Sequence, residues 1–193
     1  MKFSLIVILL SLLNNPNQLI NSQVKSYLDK FETDFDEILF VSIDNQKMYH
    51  FKKQKIISTY VISSSKYGVG NQSGSNKTPK GLHFIKKKIG DNTPINGKMI
   101  GRKFTGEIAK IFSDKTISDT DDITTRILWL SGLEEGLNKG KNIDSFKRYI
   151  YIHGTSEEGR LGIPSSHGCI RMKNKDVIDL YKKVEVGTLV LIL

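Results

Sequence analysis

Short apolar segments separated by turn residues recur along the chain, and this pattern constrains the fold more than any other feature. From Ile38 onward the helical spacing gives way to apolar or alternating runs of the length that strands have. Clusters of Gly, Asn, Asp and Pro separate these runs, as turns require. The predicted strands cover residues 38–43, 47–53, 55–63, 82–88, 124–133, 148–155 and 188–193. The sequence therefore predicts a mainly β fold whose first three strands form a meander.

Two segments carry the helical period instead. NKDVIDLYKKV (174–184) begins with Asn174 as a candidate N-cap and has a single apolar face. A weaker amphipathic pattern covers 23–37. The apolar positions in the two segments are Val177, Leu180, Tyr181 and Val184, and Val24, Tyr27, Leu28, Phe31 and Phe35. One or two helices therefore accompany the strands.

The N-terminus has the pattern of an exported protein. Residues 1–13 contain a lysine followed by an unbroken apolar run, which matches a secretory signal and is short for a membrane span. Ser22 is a tolerable cleavage position, but residues 14–21 make an unusual cleavage region, so an uncleaved anchor and membrane association through it stay open. We expect a signal peptide or anchor at 1–22, a helical segment at 23–35, and one domain at 36–193 in the periplasm or cell envelope.

The formal charge of +9, from 29 basic and 20 acidic residues, favours anionic surroundings. A wall polymer rich in carboxylates and a lipid surface both fit, although solvated lysines explain the charge more simply. No stripe of Lys and Arg alternates with aromatic residues, which argues against nucleic acid as a partner.

The segment from Tyr151 to Met172 carries the candidate chemistry. It contains Cys169, the only cysteine in the chain, and two of the four histidines, His153 and His167. A lone thiol in an exported protein is either intermolecular or reactive. A thiol becomes a nucleophile when a base takes its proton, and His153 lies upstream across a flexible segment that can fold back. If Cys169 and His153 form an ion pair, alkylation of the thiol stays fast below the ordinary pKa of about 8.5.

The residues around the cysteine support a nucleophilic role. Gly168 permits a backbone conformation that a side chain would forbid, so that neighbouring N–H groups can converge on an oxyanion. Arg171 offers a positive charge near the thiolate or a partner for a substrate carboxylate. A metal site formed by His153, His167 and Cys169 is a distant alternative, because zinc usually binds closer pairs of ligands.

The sequences HGT (153–155) and SHGCIRM (166–172) closely resemble the signature of the L,D-transpeptidase catalytic domain of bacterial cell-wall enzymes. The match includes His153, Ser166, His167, Gly168, Cys169 and Arg171. A weaker second signature, a Thr-Pro-x-Gly turn, matches residues 78–81 and is expected to form one wall of the site. The resemblance covers residues 36–193 and implies a small β-sandwich-like fold of mixed sheets, with the cysteine in a cleft between loops.

The resemblance also implies a mechanism. Cys169 would attack peptidoglycan tetrapeptide stems at their third residue, release the terminal D-Ala and form a thioester, while His153 transfers the proton. The carbonyl of Gly154 would orient His153, and the N–H groups of Gly168 and Cys169, with His167 and Ser166, would shape the oxyanion site. Arg171 would order the loop or hold a stem carboxylate.

Neither a metal nor a cofactor is implied, and carbapenems are expected to acylate the thiol. The acceptor stays open among a stem amine, water, a free D-amino acid and a lysine of a wall-anchored protein.

Several other features are expected to be structural. His50 lies in an alternating strand, His83 fits a satisfied core or surface position better than the cleft, and Trp129 fits the core. Residues 89–124 look like an extended loop with one hairpin, including an exposed acidic connection at 114–122. The polar segment 134–147 is expected to be a mobile rim over the cleft.

Overall fold

The computed structural model describes residues 16–31 and 35–193. The predicted leader therefore lies largely outside the described residues. The first helix, α1 (Pro16–Leu28), continues into a 3₁₀ turn at Asp29–Phe31, so the expected boundary at residue 22 falls inside a helix. None of the helices in the described ranges is long and apolar enough to cross a membrane.

Ten strands follow, and they confirm the prediction of a mainly β fold with two helices. They are β1 (Glu37–Ser42), β2 (Lys47–Lys52), β3 (Lys55–Ser63), β4 (Gly81–Ile89), β5 (Gly97–Ile100), β6 (Lys103–Ile108), β7 (Thr124–Gly132), β8 (Tyr151–Gly154), β9 (Ile170–Met172) and β10 (Leu189–Ile192). Helix α2 (Asn174–Lys183) connects β9 to β10, and short 3₁₀ turns lie at Lys141–Ile143 and Glu158–Arg160.

The strands form one mixed sheet that closes on itself. Their order is β4-β10-β1-β2-β3-β9-β8-β7-β5-β6, and β4 also pairs with β7, so eight strands complete a barrel-like ring. The hairpin β5–β6 extends from the ring beside β7. Most pairs are antiparallel, but β1–β10 and β8–β9 are parallel. The expected sandwich of sheets is therefore one continuous sheet whose edges meet.

Both faces of the sheet are covered, which explains why several strands are apolar throughout. In β1, Leu39 and Val41 belong to the larger core, into which α2 inserts Val177 and Leu180. The other face of β1 packs against α1 in a second core. Its α1 members are Ile20, Val24 and Leu28, which recur every four residues and so lie on one side of the helix.

The predicted helix at 174–184 is present, but Asn174 is not its N-cap. Lys173 occupies the cap position, and its own side chain makes no capping hydrogen bond. The buried Asn174 amide instead donates to the carbonyl of Thr155 and to Glu158, and accepts the hydroxyl protons of Thr124 and Thr125. This side chain therefore joins α2 to β7 and to the segment that follows β8.

Candidate active site

Two parallel strands bring together the HGT and SHGC segments of the sequence motif. Ile152 of β8 pairs with Ile170 of β9, and His153 pairs with Arg171. Cys169 directly precedes β9, so its thiol lies beside the start of β8 at Tyr151. The imidazole belongs to His153, two residues further along β8. The segment between them folds back over residues 155–168, as the spacing in the sequence predicts.

The thiol of Cys169 is held by backbone groups. Its Sγ donates to the carbonyl of Tyr149 and accepts the N–H of Tyr151, each at 3.4 Å. The side chain is partly buried against an apolar cluster that includes Trp129 and Tyr151. Burial raises the pKa of the Cys169 thiol to about 12, and the nearby guanidinium of Arg171 offsets only part of that effect. The resting thiol is therefore protonated.

The imidazole of His153 is buried and has a defined tautomer. Its Nδ1 lies 2.7 Å from the carbonyl oxygen of Gly154. Because a carbonyl can only accept, Nδ1 carries the proton and Nε2 of the neutral ring is the acceptor. Burial lowers the pKa of His153, although the carboxylate of Asp121 acts in the opposite direction. The resting ring is therefore a neutral base.

The contacts of the thiol and the imidazole describe a neutral pair rather than an ion pair. Within residues 16–31 and 35–193, the hydrogen bonds of Sγ are those to Tyr149 and Tyr151, and none joins it to His153. The resting site is therefore not a thiolate–imidazolium pair. The proton must transfer from Sγ to the imidazole when the thiol attacks.

The backbone before Cys169 is fixed by two hydroxyl groups. Ser166 donates to the carbonyl of Cys169 at 2.6 Å and accepts the N–H of Gly168 at 3.2 Å. Thr78 donates to the carbonyl of Gly168 at 3.0 Å. Gly168 has a φ of +127°, a conformation that favours glycine. Its N–H, expected to contribute to the oxyanion site, is engaged by Ser166 in this state.

The start of the Thr-Pro-x-Gly turn, Thr78 together with the preceding Lys77, lies against the cysteine loop. Besides the hydroxyl of Thr78, the carbonyl of Lys77 approaches Gly168, where an added Cβ would come within 3.5 Å of it. Arg148 donates to the carbonyls of Gly70 and Lys77 and so fixes the same turn to the segment before β8.

Arg171 is buried, with 2% of its side chain exposed, and it binds two carboxylates of the protein itself. Its guanidinium lies 2.6 Å from Asp121 and 2.7 Å from Glu157, and it also donates to Ser165. Of the two expected roles, this geometry supports ordering of the loop. A substrate carboxylate would have to displace one of these two partners.

Asp121 is the site residue that sequence analysis missed. Burial alone would raise its pKa, but Arg171, His153 and His167 together hold the pKa of this carboxyl below its ordinary value. Its second oxygen lies 2.8 Å from Nδ1 of the half-exposed His167 ring. The acidic connection 114–122 was expected to be exposed, and no motif distinguished Asp121 from its acidic neighbours.

His167 is consequently held by a carboxylate on one side and by an aromatic ring on the other. Its ring centroid lies 5.8 Å from that of Tyr67, at a tilted angle. The structure therefore places this histidine at the surface of the loop, next to Asp121, and the buried histidine of the motif is His153.

The remaining histidines occupy core positions. His50 is buried in β2, 2.7 Å from Glu37. His83 is buried between the carbonyl of Gly81 and the hydroxyl of Ser145, and burial lowers its pKa to about 4. The described residues contain no group of three or more His, Cys, Asp or Glu side chains arranged to hold a metal ion.

The segment 134–147, expected to be a mobile rim, is tied to the sheet. Glu134 accepts the N–H of Leu82 and the hydroxyl of Tyr27, and the buried Asn138 donates to two carbonyls of the chain at Lys80 and Leu82. The end of the segment lies near the thiol, because Phe146 and Cys169 pack against the same apolar cluster.

Comparison with known proteins identifies the family. The family model of the L,D-transpeptidase catalytic domain matches residues 36–192. This match covers most of the chain, which therefore belongs to the L,D-transpeptidase catalytic domain family. YkuD of Bacillus subtilis, named as an L,D-transpeptidase, is 50% identical over 46 residues, which are 24% of this chain and 28% of that protein. YbiS of Escherichia coli, also named as one, is 46% identical over 41 residues, 21% of this chain and 13% of that protein.

Solved structures show the same fold. An L,D-transpeptidase mutant from Enterococcus faecium aligns with a TM-score of 0.51 and 18% identity, over 82% of this chain and 50% of that one. An L,D-transpeptidase solved in complex with imipenem aligns with a TM-score of 0.50 and 16% identity, over 82% of this chain and 59% of that one. The chain thus spans between half and two thirds of these solved structures, and much less of the sequence relatives.

Proposed function

We propose that this chain is an exported, cysteine-dependent L,D-transpeptidase that acts on peptidoglycan tetrapeptide stems. The observation that supports it is the pairing of β8 with β9, which aligns the strand that carries His153, a buried histidine of fixed tautomer, with the strand that directly follows Cys169. Membership of the family supplies the reaction class.

The protonation states support a general-base mechanism. Sγ–H of Cys169 leaves the Tyr149 carbonyl and gives its proton to Nε2 of His153 as the sulfur attacks the carbonyl carbon of the third stem residue. The carbonyl of Gly154 stabilises the imidazolium that forms, because Nδ1–H already donates to it. The amide C–N bond then breaks, and His153 returns the proton to the departing amine of D-Ala.

The resulting thioester is resolved by an amine. The amine attacks the thioester carbonyl, loses a proton to His153 and forms an amide, and the thiol is restored. With a stem amine as acceptor, the product is a cross-link between third residues. Water, a free D-amino acid or a lysine of a wall-anchored protein would react with the same thioester. The products of the test below distinguish these acceptors.

The test compares the wild-type protein with Cys169→Ala and His153→Gln on purified tetrapeptide muropeptides. Mass spectrometry should show release of D-Ala and a cross-linked dimer with the wild type, a trapped thioester at short times, and neither product with Cys169→Ala. Tripeptide without dimer would indicate water as the acceptor. Full activity of Cys169→Ala would refute the proposed mechanism.

Carbapenems provide a second test of the same thiol. One structural neighbour was solved with imipenem, and its fold is shared by this chain. We expect imipenem to add to the wild type as a single covalent adduct, because its strained carbonyl can accept the sulfur, and Cys169→Ala to remain unmodified. An adduct that persists in Cys169→Ala would show that another nucleophile reacts.

A further inference from the structure

A cluster of aromatic side chains lies on one side of the thiol. Trp129 stacks on Phe146 with ring centroids 4.1 Å apart, and the rings of Tyr149 and Tyr151 lie 5.6 and 5.4 Å from Trp129. The same two tyrosines provide the backbone groups that bind Sγ. Any substrate residue that extends from the attacked carbonyl towards β7 therefore meets this cluster.

Arg102 reaches over the cluster from the turn of the β5–β6 hairpin. Its guanidinium carbon lies 4.8 Å from the centre of the Trp129 ring and 5.3 Å from that of Tyr149. Its Nη1 donates to the hydroxyl of Tyr151 at 3.3 Å. Stacking and this hydrogen bond hold the cation over the aromatic cluster against which the Cys169 side chain packs.

The turn holds Arg102 in an unfavourable backbone conformation. Gly101 and Arg102 are the two loop residues between β5 and β6, with φ of +54° and +68°. A two-residue hairpin turn with two positive φ values normally uses Asn, Asp or Gly, and a long side chain at the second position is uncommon. Local strain of this kind is often associated with a functional requirement for the side chain.

The positive charge of Arg102 has no acidic partner in the part of the chain that the structure describes. Two lysines approach the same cluster, with Lys86 4.0 Å from the centre of the Phe146 ring and Lys87 5.8 Å from that of Trp129. Both can face the cluster because a bulge in β4 lies between Ile85 and Lys87. The cluster therefore presents unopposed positive charge close to the thiol.

We propose that Arg102 is a specificity-determining residue that binds the terminal carboxylate of the departing D-residue. This inference rests on the proposed function, because that reaction places a free carboxylate one residue beyond the attacked carbonyl, roughly 4 Å away along the chain. One edge of the guanidinium is occupied by Tyr151, and the other nitrogens can bind both oxygens of a carboxylate. The two other arginines near the thiol are already engaged, Arg171 with two carboxylates and Arg148 with the carbonyls of Gly70 and Lys77, which favours Arg102 for this role.

The test uses two donors that differ only at the end of the peptide, a tetrapeptide stem with a free terminal carboxylate and the same stem with a carboxamide. Initial rates of leaving-group release give kcat/KM for each donor. Arg102→Gln should lower kcat/KM for the carboxylate donor by about 10- to 100-fold and change that for the carboxamide donor by less than about threefold, because a charge-assisted bond is lost only with the first donor. Arg102→Lys should lie in between, since an ammonium cannot bind both oxygens in parallel.

The matched control is Lys103→Gln, which removes an exposed positive charge from the next residue of the same hairpin. It should leave the preference between the two donors unchanged. An equal loss with both donors in Arg102→Gln would show that the side chain only secures the hairpin, and no loss with either would show that it has no role. Either result overturns the inference.

A wild-type protein that releases a leaving group from neither donor would instead overturn the proposed function and this inference with it. The fluorescence of Trp129, the only tryptophan of the chain, provides a readout independent of turnover. In a Cys169→Ala background, N-acetyl-D-alanine should change that fluorescence more strongly than its amide. Arg102→Gln should abolish the difference. A fluorescence response that is the same with and without Arg102 would also overturn the inference.

Discussion

The protonation state of Cys169 makes a quantitative prediction for thiol reactivity in the free protein. With a pKa of about 12, only about 3 in 100,000 molecules carry a thiolate at pH 7.5, compared with about a tenth for an ordinary thiol of pKa about 8.5. The population of thiolate is therefore lower by roughly 3,000-fold. A more basic thiolate is intrinsically more nucleophilic, by about 25- to 55-fold for this difference at a Brønsted coefficient of 0.4–0.5.

The two effects leave alkylation slower than that of a free thiol by about 50- to 100-fold at pH 7.5. The rate should rise about tenfold per pH unit between pH 6.5 and 9.5, without a plateau, because the thiol stays below its pKa throughout. The assay is the rate of iodoacetamide addition followed by intact mass. Cys169 is the only cysteine, so a single adduct reports on it alone.

His153→Ala separates the two descriptions of the site. Since no hydrogen bond joins the imidazole to Sγ in the described structure, this substitution should change the alkylation rate little while abolishing the release of D-Ala from a stem. A rate that levels off below about pH 8.5 in the wild type, and loses that plateau in His153→Ala, would refute the neutral pair and establish the ion pair that the sequence suggested.

Three further outcomes follow from the contacts around the thiol. Asp121→Asn should lower the free energy of unfolding by about 3 kcal/mol near pH 7, because the buried guanidinium of Arg171 loses one of its two carboxylate partners. Since folding lowers the pKa of Asp121, urea titrations should show this difference in stability shrinking as the pH falls below about 4, and an unchanged difference there would contradict the assignment. Gly168→Ala should lower the free energy of unfolding by about 1–3 kcal/mol through the backbone strain at its φ of +127°. The added Cβ would lie at an ordinary 3.5 Å from the carbonyl oxygen of Lys77 and so adds no clash. A folded variant that shows no loss of stability in thermal unfolding would refute this. Asn174→Ala should lower the free energy of unfolding by about 2–4 kcal/mol, because it leaves the hydroxyls of Thr124 and Thr125 without their acceptor. A free energy of unfolding in urea within about 1 kcal/mol of the wild-type value would contradict that account.

The strands were predictable because their information is local. The runs 38–43, 47–53 and 55–63 became β1, β2 and β3 with shifts of a residue or two, since apolar content and turn residues bound each of them. Closure of the sheet was not predictable in the same way. The pairing of β4 with both β7 and β10 joins segments about 40 and 100 residues apart, respectively, and no local pattern specifies it.

The residues of the candidate site were likewise predictable only where a local motif marks them. Cys169 and His153 could be found because SHGC and HGT are contiguous motifs, and the Gly154 carbonyl lies where the family resemblance implied an orienting group. Asp121 could not be found, because its position depends on how the loop after the hairpin folds back onto β9. Arg171 was expected either to order the loop or to hold a stem carboxylate, and only its burial between two carboxylates of the chain favours the first role. Asn174 was expected to cap the helix, but its amide is instead bound by distant parts of the chain, which no local pattern shows.

The anchoring of the cysteine loop determines which movement can begin the reaction. The carbonyl of Ser166 accepts the N–H of Lys66, His167 is bound by Asp121, Gly168 by Thr78, and the carbonyl of Cys169 by Ser166. Four successive residues are thus held by hydrogen bonds, three of them to distant segments, so moving the loop would require several bonds to break together. Rotation of the Cys169 side chain breaks only weak contacts at 3.4 Å and crosses the small barrier between rotamers. The fold therefore keeps the backbone around the thiol fixed, and the step that must accompany attack is the turning of Sγ–H from the Tyr149 carbonyl towards the neutral imidazole.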